Sequence, residues 1–246
     1  MKTAKTWICM ICLLTVSCMC MAQNQSRTKS VIKHEPIKES DFSQPSAKPQ
    51  SGGMAGKEQL QGTSGSPYLF DEWNDGVITM KDKSLINGKK YRYNLYTQQM
   101  QFIEDKDTVA IANPEDIEKI QFGGKTFIFS AYDSQGAIDN GYFELISDGN
   151  CRILKKWVVL YHVIDEQEPA IKATADEKSE FLRDCNCFLQ FGDSPAIKAS
   201  HNKKEFVACF KEDQDEVNTF IKQNGIKMKS ESDLKAVVDY YNTLQE

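Results

Sequence analysis

After its first two dozen residues, the 246-residue chain has no run of the ~18 apolar side chains that a membrane-spanning helix needs, so no transmembrane segment is expected beyond them. Clustered Lys and Arg are also missing. The lysine pairs at 89–90, 155–156 and 203–204 stand alone in a chain of net charge −5. Binding to a phosphate backbone or an anionic lipid surface needs basic clusters, so nucleic acid is excluded as a partner. The pairs themselves read as solvated faces. Histidine is sparse, with three residues. His34 lies in low-complexity sequence. His162 sits in an apolar run and reads as a satisfied core or interface residue, and His201 precedes a helix start, where a capping or surface role suffices. No serine stands in a nucleophile elbow, since Gly62 to Ser66 is linker composition. No Asp-x-Asp-x-Asp-Gly loop points to calcium, and no glycine-rich strand–helix turn points to a nucleotide. No catalytic, cofactor-binding or metal-ligating residue is therefore nominated, and no cofactor is expected.

What is present begins with a leader. Lys2 and Lys5 precede the uncharged apolar run Trp7 to Val16, and Cys20-Met21-Ala22 places small residues where a signal peptidase cuts. Residues 1–22 read as a secretory signal peptide cleaved between Ala22 and Gln23, and loss of its two lysines leaves a mature charge of −7. The alternative is lipidation at Cys18, preceded by Leu14-Thr15-Val16-Ser17, which would anchor the chain to a membrane. Residues 23–66 are Ser, Gln, Lys, Gly and Pro with little to bury, and are expected to form a disordered tether.

From Pro67 the composition changes, and 67–246 is long enough for one domain with a real core. Residues 67–199 are strand-rich. Tyr91, Tyr93 and Leu95 alternate with Arg92 and Asn94, the period of a half-buried strand. Gly123-Gly124 separates Ile120–Phe122 from Lys125–Ser130 as a hairpin turn would. Ser147 to Asn150 parts two further runs, and Trp157 to Ile164 reads as a central strand covered on both faces. Residues 165–180 read as a loop, and strands resume at Phe181–Phe191. Residues 200–246 are helical, with starts marked by Asn202, Asp213 and Ser230, each three residues before an acid. Gly225 ends the middle helix. Leu234, Val237, Val238, Tyr241 and Leu244 form a core-facing stripe on the last. The expected fold class is α+β: an antiparallel β meander or partly closed barrel-like sheet of about nine to eleven strands, with two to three C-terminal helices.

The mature chain holds four cysteines, Cys151, Cys185, Cys187 and Cys209. In an oxidising envelope an even count predicts disulfides. Cys185 and Cys187 lie two apart on one strand face, ~7 Å between Cβ atoms, so they cannot pair with each other unless the strand bends. Bridges from them to Cys151 and Cys209 are the easier expectation. Buried free thiols and a metal or redox site remain the other readings.

Several segments together resemble a loosely defined group of secreted Bacteroidetes-type proteins of unassigned function. They are Gly76 to Asp82, Tyr91 to Asn94, Pro114 to Ile117, Gly124 to Phe127, Gly141 to Leu145 with Asp148-Gly149, and Leu234 to Asn242. The resemblance implies a shared fold for most of 67–246 and carries no site residue. The function expected first is a non-enzymatic envelope module, periplasmic or at the cell surface, that binds an unknown protein or glycan. An exposed aromatic patch drawn from Tyr68, Trp73, Tyr93 or Tyr96 would serve it. A hydrolase with an unrecognised site, and a lipoprotein subunit of an outer-membrane assembly, are the alternatives.

Overall fold

A computed structural model describes residues 43–45, 63–163 and 179–245, all within the unit Ile37–Glu246. Ala22, Gln23, Cys18 and most of the tether lie outside the described residues. Two short pieces of the stretch read as a tether are strands: β1 (Ser43–Pro45) and β2 (Thr63–Ser64). Ten more follow: β3 (Asn74–Met80), β4 (Leu85–Asn94), β5 (Gln99–Glu104), β6 (Asp107–Ile111), β7 (Ile117–Phe122), β8 (Lys125–Ser134), β9 (Ala137–Ser147), β10 (Cys151–Val163), β11 (Ser179–Phe191) and β12 (Ile197–Lys198). Three helices close the chain: α1 (Lys203–Ala208), α2 (Gln214–Gln223) and α3 (Glu231–Leu244).

The strands form one sheet in the order β1-β6-β5-β4-β3-β7-β8-β9-β10-β11-β12, with β2 added parallel to β11. Every pairing along that path is antiparallel, so β2 alone makes the sheet mixed. The α+β class is as expected, but the sheet does not close into a barrel. It coils instead. Gln190 on β11 donates to Ser130 on β8 across two intervening strands, and Ala196 makes a parallel bridge to Tyr132.

Sequence chemistry accounts for the turns. Gly123 and Gly124 have φ of 56° and 72°, the left-handed pair that a two-residue hairpin needs. A Cβ at Gly123 would also lie 2.6 Å from the Phe70 ring. The Asn202 side chain accepts from the amides of Lys204 and Glu205, and Ser230 forms a complete capping box with Asp233. Asp213 occupies the start of α2 without a side-chain cap bond.

Packing falls into three cores. The first gathers Tyr91, Tyr93, Leu95, Met100, Phe122 and Phe127 under the meander. The second packs Leu234, Val237 and Val238 of α3, with Val217 and Phe206, on Cys151, Ile153 and Leu189. The third, Phe143, Leu154, Phe188 and Ala196, fills the concave side of the coil. Each fully buried large apolar side chain contributes roughly 1.5–3 kcal/mol.

Three expectations are corrected here. Among the described residues no disulfide is formed: Cys151, Cys185, Cys187 and Cys209 are all free thiols. The register explains part of this, because Cys187 lies opposite Lys155 while Cys151 lies opposite Phe191. Four residues of strand, roughly 13 Å, therefore separate Cys151 from the position facing Cys187. Secondly, β10 is not covered on both faces throughout, since Leu160 is 61% exposed. Lastly, Lys155 and Lys156 do not interrupt the strand as solvated side chains. Lys155 lies between Glu144 and Glu231 with 11% of its side chain exposed. Lys156 lies over the rings of Tyr132 and Phe143, at 4.6 and 5.1 Å.

Candidate functional site

The concave side of the coil carries a groove of about 490 Å³. Strand periodicity builds its floor. Thr126, Ile128 and Ser130 alternate on β8, Leu145 comes from β9, and Arg152 and Gln190 stand directly opposite each other on β10 and β11. Lys81, Glu118 and Lys119 form the wall from the β3–β7 side, and Asp148 and Asp193 come from turns.

The polar centre is Gln190, 4% exposed in a strand whose neighbours Phe188 and Leu189 are core. Its Nε2 donates to Ser130 Oγ at 2.8 Å and to the Ser194 carbonyl at 3.0 Å. Its Oε1 is buried and has no hydrogen-bond partner. Leaving such an acceptor unmade costs about 1–3 kcal/mol. Around it, Asp148 accepts from Arg152 Nε at 2.8 Å and Glu118 from Lys83 at 2.5 Å. Lys81 and Lys119 have no carboxylate within ion-pair distance among the described residues. Three basic and three acidic side chains around a floor of mixed polar and apolar side chains suit recognition of an extended polar ligand.

A second polar cluster lies on the opposite face, between the meander core and the helices. Glu144, 7% exposed, accepts from Lys125 Nζ at 2.6 Å and Trp157 Nε1 at 2.7 Å, with Lys155 Nζ at 4.0 Å. Burial alone would lower the Lys155 pKa, but the Glu231 hydrogen bond and the Glu144 and Glu231 charges leave it raised. Lys156, turned by strand alternation to the other face of β10, has its pKa lowered by burial, with Asp139 opposing, and is not part of this cluster. Cys185 and Cys187 share the cluster's face as expected. Burial raises both thiols, Cys187 to about 11, against the opposing pull of Lys155. Their thiolates are therefore scarce at neutral pH. The charges in this cluster are mutually satisfied, and it holds α3 against the sheet.

The aromatic residues expected to form an exposed patch, and the two histidines of the folded part, fall elsewhere. Tyr93 is fully buried and donates to Gln98 Oε1 at 2.9 Å, so it belongs to no exposed patch. Tyr68 and Trp73 cover the Arg92 guanidinium, at 3.5 and 4.3 Å from their ring centres. Tyr96 packs on Tyr161 and Phe181. His162 lies 3.4 Å from Glu180, and His201 Nδ1 meets the Met228 carbonyl at 2.8 Å. Neither lines the groove. No sequence signal singled out Gln190, because a lone glutamine in an apolar strand has no motif.

Fold and groove together define an open, strand-dominated α+β protein with a polar groove on its concave side. The chain matches no family model, no curated protein and no solved structure.

Proposed function

We propose that this chain is a non-enzymatic binding module of the cell envelope, secreted on a leader, and that its ligand seats in the groove floored by Gln190. The lining carries the reading: Lys81 and Lys119 stand in the groove with no carboxylate within ion-pair distance among the described residues, above the buried and unpartnered Gln190 Oε1. Secretion is supported by the leader sequence 1–22.

The test is photo-crosslinking in the native host. A crosslinking residue replaces Thr126 inside the groove or Leu85, exposed on β4. The expected result is an adduct of defined mass from position 126 alone. Identical adducts from both positions, or none from 126, would sink the proposal. The intact mass of the same protein reports whether the chain begins at Gln23 or at an acylated Cys18.

A further inference from the structure

We infer that Cys185 and Cys187 form a two-coordinate site for a soft monovalent cation, copper(I), an inference independent of the groove. Strand alternation puts both thiols on one face of β11, and the register with β10 sets Cys185 opposite Trp157 and Cys187 opposite Lys155. Cys185 is exposed and Cys187 half-buried, so an ion reaches the pair from solvent. The other two cysteines are satisfied locally. The Cys151 thiol donates to the Arg152 carbonyl, and the Cys209 thiol to the Glu205 carbonyl. Neither Cys185 nor Cys187 has an acceptor for its thiol among the described residues.

Strand geometry suits a bridging metal and not a disulfide. Positions two apart on a strand are ~7 Å apart at Cβ, too far for the ~2 Å bond between sulfurs. Strand side chains lean along the strand in either of two common rotamers, so opposite rotamers bring the sulfurs towards each other. A linear sulfur–metal–sulfur unit needs them about 4.6 Å apart, twice the ~2.3 Å of a metal–thiolate bond, and that lies within reach. Softness and ligand number then select copper(I), which accepts two thiolates in line. Structural zinc takes four ligands, and no group of three or more His, Cys, Asp or Glu is placed to hold a metal among the described residues. Charge points the same way. The Lys155 ammonium opposite Cys187 repels a dication but attracts the anion that copper(I) makes with two thiolates. Glu144 and Glu231, the carboxylates nearby, are already engaged by Lys125, Trp157 and Lys155. Binding exchanges protons for metal: one copper(I) ion and two thiols give a copper bis-thiolate with one negative charge and release two protons. Nothing is oxidised or reduced.

The experiment is an anaerobic titration of the exported full-length protein with copper(I) against a competing copper(I) chelator, followed by alkylation and peptide mass mapping. The expected result is retained copper(I) that protects Cys185 and Cys187 from alkylation and leaves Cys209 modified at its metal-free rate. Zinc(II) at the same concentration should leave the pair open. Cys185→Ser, at an exposed position, should weaken retention by more than the ~100-fold that loss of a group merely supporting the ligands costs, at an unchanged urea midpoint. Failure to take copper(I) from the chelator overturns the site. Retention that persists in Cys185→Ser, or that leaves Cys187 open to alkylation, overturns it as well. Equal protection by zinc(II) overturns the assignment to a monovalent cation. The protection pattern is read on the unaltered protein, so it decides the question whatever the variant does to folding.

Discussion

Gln190 and Ser130 are 60 residues apart in sequence and have two strands between them in the sheet, yet Gln190 Nε2 lies 2.8 Å from Ser130 Oγ. The contact exists because the sheet coils around Phe143, Leu154 and Phe188. It positions a carboxamide whose oxygen the protein leaves unpaired. Replacing Gln190 by Leu removes two hydrogen bonds, about 1 kcal/mol each, and also one unmade buried acceptor, about 1–3 kcal/mol. The terms oppose, so Gln190→Leu is expected to change stability by no more than about 1 kcal/mol in urea denaturation while abolishing ligand capture. A loss of several kcal/mol would instead make Gln190 a structural residue.

Glu144 should behave in the opposite way. It accepts from Lys125 and Trp157 and faces Lys155 in the space between the meander and the helices. Glu144→Ala leaves the Trp157 indole N–H and the Lys125 ammonium without their acceptor, and about 3 kcal/mol should be lost. Glu144→Gln keeps an acceptor for Trp157 and should lose about half as much. A fall in urea midpoint at unchanged slope checks both values.

Much of this scaffold was legible in the chain because local chemistry coincides with the fold. The Tyr91–Tyr93–Leu95 alternation, the Gly123-Gly124 turn, the Ser230 capping box and the Leu234–Val237–Val238 stripe appear where their physics puts them. The groove was not legible. It depends on the coil of the sheet, which brings β8 to β11, and no local pattern encodes which distant strands meet. Lys155 and Lys156 misled for a related reason. Their charges are neutralised or stacked by Glu231, Glu144, Tyr132 and Phe143, residues supplied by other strands and by α3. The disulfide expectation failed because cysteine count reports compartment, not register: β10 and β11 align in a way that keeps Cys151 away from Cys187.

The thiols give a direct test of that arrangement. Cys185 is exposed, Cys187 and Cys209 are half-buried, and burial pushes Cys151 to about 12. Alkylation of the native protein at pH 8 should therefore modify Cys185 first and Cys151 only after denaturation, as read by peptide mass mapping. Burial also raises the Cys185 thiol, so its rate should still be climbing above pH 9. Protection of all four until a reductant is added would mean paired cysteines and a different β10–β11 register.

The docking of α3 should be pH-dependent through Asp239. This carboxylate accepts from Ser147 on β9 and from Lys235 one turn back, 2.5 Å away. Burial alone would raise its pKa, but the Lys235 and Ser147 hydrogen bonds outweigh burial and hold it below the ordinary 3.8. A depressed carboxylate stabilises the fold at pH values above its unfolded pKa, and the contribution disappears as pH falls through the folded value. With 46% of the side chain exposed, solvent screening limits the effect to about 0.5 kcal/mol. Asp239→Asn should therefore lower stability by that amount at pH 7, and the gap from the parent should close between pH 4 and pH 2. Asn242 on the next turn ties α3 to β10 without charge, by accepting from the Cys151 amide at 2.9 Å and donating to the Cys151 carbonyl at 2.9 Å. Asn242→Ala should cost about 2 kcal/mol equally at both pH values, so the pair of variants separates the electrostatic part of the helix anchor from the hydrogen-bonded part.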